Sequence, residues 1–408
     1  MLDKLFYLIF LTYAIRPYGL RISLLLSFLL TVFIIIKTMK NNTFRFPFKF
    51  LLGYMFLFLS SFISYLYNYG SVDKSFITLY LAFVINSFGF YLYLRSVNLK
   101  IFTKKLIKFM YYLSIFAIIQ QIAFLLNMPL IYDLHNSFGL VGGSNISDFG
   151  SFQLYRVYSI FTEPAHFAYF ISFAIFAGIV SFNNKKSFFH KLIDIKEFIV
   201  IIVAFFMTFS FSMYIMVLIF VLLTSIKFNM KSFITISLMI LLIVIAIQSE
   251  VISTKLYKIQ NFNNIETKEL GGTMFAITSN IGVTYDSLVE NNFLFGKGMD
   301  THRFNYDKFI GKYISYDSCL YGTNRVDASS MFLRILSEFG ILGLVVFLIY
   351  LKIYYVKDLY IKDLSLVSMF AMLSYMVRTG DYGSVVFTFY LALFTATYYN
   401  AKYIKRKK

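Results

Sequence analysis

Charge is scarce in this chain. Only 14% of its 408 residues are charged, against roughly a quarter in an average soluble domain, and 59% are hydrophobic. That shortage excludes a soluble globule. Cysteine is nearly absent too: the single Cys319 rules out an intramolecular disulfide and a Cys-rich metal site. Tryptophan is missing altogether beside 33 Tyr and 51 Phe, so tyrosine has to supply any interfacial anchors. Acidic residues are the rarer sign, 20 against 38 Lys and Arg, for a net charge of +18. Such an excess points to a nucleic-acid partner only until the charges are mapped.

Long apolar runs fill the space that charge leaves. Hydrophobic segments between polar interruptions predict about twelve crossings: 5–15, 22–36, 50–67, 75–94, 106–128, 162–181, 197–208, 212–226, 232–249, 331–351, 364–377 and 384–400. The first, seventh and eighth are short, so 5–36 and 197–226 are each candidates for a broken or re-entrant element. Alternating sides puts 24 basic and 5 acidic residues with the two termini and 14 basic and 15 acidic opposite, which predicts cytoplasmic ends. Loops such as Lys37 to Lys49 and Lys185 to Lys196 account for the positive charge beside anionic lipid, and nucleic acid is not needed. No small-residue cleavage pattern follows Ile15, so the first run serves as an uncleaved start.

The expected fold is therefore an all-α polytopic membrane protein, about twelve spans (range 10–12), in one integral membrane domain over 1–408. Its two long outward loops are 129–161 and 250–330, the second a cap with partly interfacial helices. Polar sequence concentrated on one side places the chemistry there. In NNFLFGKGMDTHRF, Gly296 and Gly298 are spaced for a tight turn, without the strand and helix that a nucleotide fingerprint needs. The two halves show no matching broken segments, which weakens an alternating-access transporter.

Three clusters could carry chemistry. In RVYSIFTEPAH, Pro164 suits a first helical turn, with Thr162 as the cap and Glu163 at the first position. Glu163 and His166, three apart, would then share one side and could hold and deprotonate an alcohol; a helix cap with an interfacial histidine is the plainer alternative. In NRVDASSMFLRILSEFGILGL, Arg334 and Glu338 stand four apart, either as a buried structural ion pair or as the lining of a polar cavity, and Gly340 and Gly343 allow close helix approach. In RTGDY, Arg378 lies on the outward side with Asp381 and Tyr382. Arg156, Arg325 and Arg378 are all outward, and forked guanidinium donors suit a diphosphate.

The histidines, His135, His166, His190 and His302, form no metal-binding spacing, so no metal and no cofactor is expected; Asp300 with His302 is the one pair worth checking. There is no nucleophile elbow or Cys-His arrangement, and Cys319 is a poor nucleophile candidate. Arg16 and Arg21 suit headgroup contacts, and Ser210 and Ser212 the ends of neighbouring helices.

With SIFTEPAHFAYF, FLFGKGM, SSMFLRILSEFGILGL and the outward Arg378 in view, the sequence resembles the Wzy-type oligosaccharide repeat-unit polymerases of O-antigen and capsule synthesis, related in layout to O-antigen ligases. The resemblance implies a GT-C-like architecture in the bacterial cytoplasmic (inner) membrane, with the site facing periplasm or exterior. It implies undecaprenyl-diphosphate-linked oligosaccharides as substrates, surrounding membrane lipids, and a chain-length regulator and flippase of the same pathway as partners. Ligases carry a functional histidine before the last motif; here Asn324, Arg325 and Asp327 stand in that neighbourhood, which favours polymerase.

The expectation is metal-independent, inverting glycosyl transfer. Arg156, Arg325 and Arg378 grip the diphosphate, Glu163 with His166 activates the acceptor hydroxyl, and Arg334, Glu338, Asp381 and Tyr382 organise the cavity. Inversion follows from a one-step geometry, since no nucleophile for a double displacement stands out. An O-antigen ligase and a lipid-linked oligosaccharide flippase are the rivals.

Overall fold

The structure, a computed structural model, describes residues 2–12, 22–40, 53–55, 57–59, 61–62, 75–134, 146–148, 153–224, 272–290, 293–314, 320–357 and 361–407. In chain order the described helices include α1 (Leu2–Leu11), α2 (Ile22–Lys40), α3 (Ser75–Ser96), α4 (Leu99–Leu125), α5 (Pro129–Tyr132), α6 (Pro164–Asn183), α7 (Ile195–Met207), α8 (Phe211–Thr224), α9 (Gly272–Glu290), α10 (His302–Phe309), α11 (Met331–Tyr354), α12 (Lys362–Arg378) and α13 (Val385–Lys407). Among the described residues, five helices are long and apolar enough to cross a membrane: Ile22–Lys40, Phe76–Ser96, Leu99–Leu125, Pro164–Asn183 and Met331–Tyr354. The chain is thus an integral membrane protein built of helices. The crossing expected at 232–249, the loop at 250–271, most of 50–67, and Arg16, Arg21, His135 and Cys319 lie outside the described residues.

One short element departs from the all-α expectation. Within the 129–161 loop, β1 (Ile146–Asp148) pairs antiparallel with β2 (Gln153–Tyr155), Ile146 opposite Tyr155. Two extended strands bonded to each other satisfy their backbone without a helix.

The sequence of α6 explains its place at the centre. It is apolar all round, and it buries sixteen of its twenty residues, the pattern of a helix with protein on every side. Helices α4, α7, α8 and α12 pack around it, α13 joins α12 to α3, and α2 covers α3. Helices α7 and α8 have 13 and 14 residues, about 20 Å each. They meet at a sharp turn in which Phe209 takes φ 47°, so the 197–226 stretch is indeed interrupted.

Helix α11 is also broken, and a loop fills its break. Gly340 takes φ 63°, ψ −162° inside the helix, a conformation open essentially to glycine alone. The groups that the break frees are taken up by the FLFGKG loop: Ile341 and Leu342 N–H donate to the carbonyls of Phe293 and Leu294 (3.1 and 3.0 Å), and Gly298 N–H donates to Glu338 O (2.6 Å). Irregular backbone in a membrane helix needs such internal partners. A Cβ on Gly340 would stand 2.5 Å from the Leu294 carbonyl, and one on Gly296 (φ 61°) 2.5 Å from that of Glu338. The glycine that was expected to bring helices together therefore breaks its helix and admits a loop.

Candidate active site

The segment 156–163 is held from both sides before it enters α6. Gln120 on α4 grips Ser159 twice, Nε2 donating to its carbonyl (3.0 Å) and Oε1 accepting from its N–H (2.8 Å), while the Ser159 hydroxyl donates to Leu113 O (3.0 Å). On the other side Val157 N–H donates to Met207 O at the end of α7 (3.2 Å). Glu163, with φ −146° and ψ 151°, is the residue that caps α6. That corrects the expectation for Thr162: a proline at the first helical position forces the preceding residue out of the helical region, so the boundary falls at Glu163. The Thr162 hydroxyl instead meets His166 Nδ1 at 2.8 Å and fixes the ring, which also lies near-parallel to Tyr375, centroids 6.3 Å apart.

Four charged groups act on that imidazole: Glu163, Asp327, Asp381 and Arg378. They come from three parts of the chain, the α6 cap, the approach to α11 and the α12–α13 turn. Glu163 is exposed and His166 half-buried, so the group opens outward from the bundle. Arg378 donates to Ser329 O (3.4 Å). Asp327 accepts from Asn324 Nδ2 (2.7 Å) and Ser329 N–H (3.3 Å), and Asp381 accepts from Gly383 N–H (2.9 Å). Ala328 and Ser329 both take positive φ, 56° and 60°, a strained pair that sets this wall of the site. Gly380 lies so close to it that a Cβ there would be 1.7 Å from Asp327 O.

The other two arginines are engaged differently. Arg156 donates through Nε to Thr208 O (3.2 Å) and through Nη2 to Phe209 O (3.3 Å), closing the carbonyl end of α7. Burial draws its pKa down, opposed by Tyr214 and Glu163, so it remains in electrical reach of the site carboxylate. Arg325 is exposed and forked onto Asp307 of α10, Nε to Oδ1 at 2.6 Å with a second bond through Nη2. This hydrogen bonding raises its pKa.

Beside this cluster lies a buried polar network that the sequence announced only in part. Arg334, 1% exposed, donates to Glu338 Oε1 (2.8 Å), Gly380 O (2.9 Å) and Asp300 Oδ1 (3.0 Å), and its guanidinium sits 4.7 Å from the Tyr382 ring centroid. Burial, with the Glu338 carboxylate next, pushes the Tyr382 phenol well above its ordinary pKa. The network ties α10, α11 and the RTGDY turn together, and Asn86 of α3 anchors that turn by donating to Gly383 O (2.9 Å).

His302 belongs to the same network as a structural group. Asn280 Nδ2 donates to Ala276 O, so its Oδ1 must accept from His302 Nε2 (2.8 Å). Nδ1 then accepts from the Ser337 hydroxyl (3.0 Å), which itself accepts from Asn305 Nδ2 (3.0 Å). Both ring nitrogens are thus taken in the neutral form. Burial, with Arg334 nearby, pushes the pKa down to about 3. Among the described residues no three His, Cys, Asp or Glu side chains group in a way that could hold a metal ion.

An apolar cavity of about 800 Å³ follows α11 from Ile335 to Tyr354, with Tyr54, Phe83, Phe387 and Tyr382 among its walls. Tyr382 thus faces the cavity while contacting the Arg334 network.

Residues 198–348 match the O-antigen ligase family model. No curated protein and no solved structure matches the chain. The matched segment contains α8, α9, α10, Arg325, the α11 break, and Arg334 with its partners Asp300 and Glu338. It supports a place in the superfamily of O-antigen ligases and polymerases, and an enzyme role. Glu163, His166, Arg378, Asp381 and Tyr382 lie outside it. Sequence reading did not include Asp327, Gln120 and Asn280 among the site residues: Asp327 shared a motif with Arg325, but nothing local marks the other two.

Proposed function

We propose that the protein polymerises undecaprenyl-diphosphate-linked oligosaccharide repeat units at the outer face of the cytoplasmic membrane, by inverting glycosyl transfer. The observation that carries this reading is that the head of α6 meets the RTGDY turn and the approach to α11: His166, held by Thr162, stacks on Tyr375 of α12, and Gly380 packs against the Asp327 carbonyl, so that Glu163, Asp327, Asp381 and Arg378 act on one imidazole. Glu163 takes the proton of the acceptor hydroxyl as its oxygen bonds to the anomeric carbon, while the bond from that carbon to the diphosphate breaks. His166, oriented by Thr162, stands beside that proton transfer.

Arg378 receives the charge that builds on the departing diphosphate, where donors already in place favour the transition state over the bound substrate. Arg156 adds positive potential from the α7 end, and Arg325 joins by exchanging Asp307 for phosphate. Arg334, Glu338, Asp381 and Tyr382 hold the wall between the polar cluster and the apolar cavity. That cavity offers a hydrocarbon-lined berth for a prenyl chain.

Ligation of finished glycan is the second reading, favoured by the description of the matched family. Cells lacking the protein separate the two: loss of a polymerase leaves single lipid-linked repeats, and loss of a ligase leaves long lipid-linked polymer. Repeats trapped at the cytoplasmic face would instead indicate a flippase.

A further inference from the structure

Helix α9 is apolar on two faces, and only one of them is covered by the described chain. Its inner face places Phe275 and Val283 against Tyr306, Phe309 and Ile310 in a small core of the cap. On its outer face Ile281, Tyr285 and Val289 are 50%, 66% and 64% exposed. Their spacing of four makes one stripe along the helix. The stripe leads into Phe293, Leu294 and Phe295, 54–58% exposed, which belong to the loop docked in the α11 break. Beyond them it meets the exposed apolar side of α11, where Val345 and Leu348 face outward on a membrane-crossing helix.

The charges of α9 lie elsewhere. Glu290 pairs with Lys308 (2.9 Å) and Lys312 (3.5 Å), and Asp286 with Lys312 (3.3 Å) and the Tyr313 hydroxyl (2.9 Å). Helix α9 packs directly on α11. An apolar stripe continuous with a lipid-facing helix, with a charged edge about a third of a turn away, is the geometry of a helix lying in a membrane interface, and a continuous apolar patch is unusual on a surface bathed in water.

We propose that α9 is a membrane anchor: the Ile281, Tyr285, Val289 stripe is sunk among the acyl chains of the leaflet on the cap's side, with Asp286, Glu290 and their lysines above it in water. Lipid then fixes the height of the cap. Through the 293–298 loop and Asp300 it also fixes the Arg334 network relative to the bilayer. The inference does not depend on which reaction the protein performs.

The absence of tryptophan provides a direct test. The full-length variant Tyr285→Trp carries the only indole in the molecule, and so does a control, Lys186→Trp, in the exposed α6–α7 loop. Each is placed in phosphatidylcholine vesicles with and without bromine on the acyl chains. Tyr285→Trp should emit to the blue and lose about half its emission in brominated lipid, while Lys186→Trp should change little. Emission like that of water, or blue-shifted emission insensitive to bromine, would mean that solvent or protein covers the stripe, and either would overturn the proposal. If Tyr285→Trp does not fold, Val289→Trp reads the same stripe with the same outcomes.

Discussion

Replacing Arg334 by methionine keeps most of the side-chain volume and removes the charge. In the native protein that charge serves Glu338, Asp300 and the Gly380 carbonyl at 2.8–3.0 Å, with the arginine 1% and Glu338 0% exposed. Breaking a buried pair by deleting one partner costs about 3–5 kcal/mol, because the remaining carboxylate is left without compensation. At about 2 °C per kcal/mol for a chain of this size, the apparent melting temperature in detergent should fall by about 6–10 °C. Adding Glu338→Gln to Arg334→Met should restore roughly half of the loss, since one orphaned charge disappears while Asp300 remains; coupling of that kind marks residues in direct contact. An Arg334→Met protein that melts with the wild type, or a double variant no better than the single one, would refute the buried hub and leave Arg334 as a solvated cavity residue.

Four further outcomes are expected. Arg378→Ala and Arg378→Lys should both shorten or abolish the polymer ladder at unchanged protein abundance, because lysine lacks the forked donors; immunoblots and glycan gels check this. Glu163→Gln should bind lipid-linked donor as the wild type does and turn it over at least about 100-fold more slowly, the usual contribution of a general base. Gly340→Ala should lower the melting temperature, its φ of 63° costing about 1–3 kcal/mol before the Leu294 clash is counted, whereas Gly53→Ala, with nothing within 4 Å, should not. His302 supplies a pH test. Its folded-state pKa is depressed from 6.5 to about 3, so on acidification the unfolded chain takes a proton that the folded chain refuses. Stability should therefore fall by about 2 kcal/mol from pH 6.5 to pH 5, and His302→Gln should flatten that slope.

Local order carried the sequence analysis where it succeeded. Apolar length marked α6 and α11 as crossings, the Gly296 and Gly298 turn was visible in its spacing, and the interrupted 197–226 stretch was legible from two runs too short to cross. The grouping of charges was harder. Glu163 and His166 are three apart, but their neighbours Asp327, Arg378 and Asp381 come from parts of the chain more than 150 residues away, and no single-sequence pattern encodes that approach. Asp300 reaches Arg334 across 34 positions for the same reason. Charge type alone grouped Arg156 and Arg325 with Arg378. It could not show that the α7 carbonyls and Asp307 compete for the first two.

Polymerisation itself is tested most directly by reconstituting the purified protein in liposomes with defined undecaprenyl-diphosphate-linked repeats as donor and acceptor. The account predicts a ladder of products rising by one repeat, with one undecaprenyl diphosphate released per bond, lost on Arg378→Ala and slowed by Glu163→Gln. Wild-type protein that leaves the repeats unextended, or moves glycan only onto a lipid A core acceptor, would contradict it.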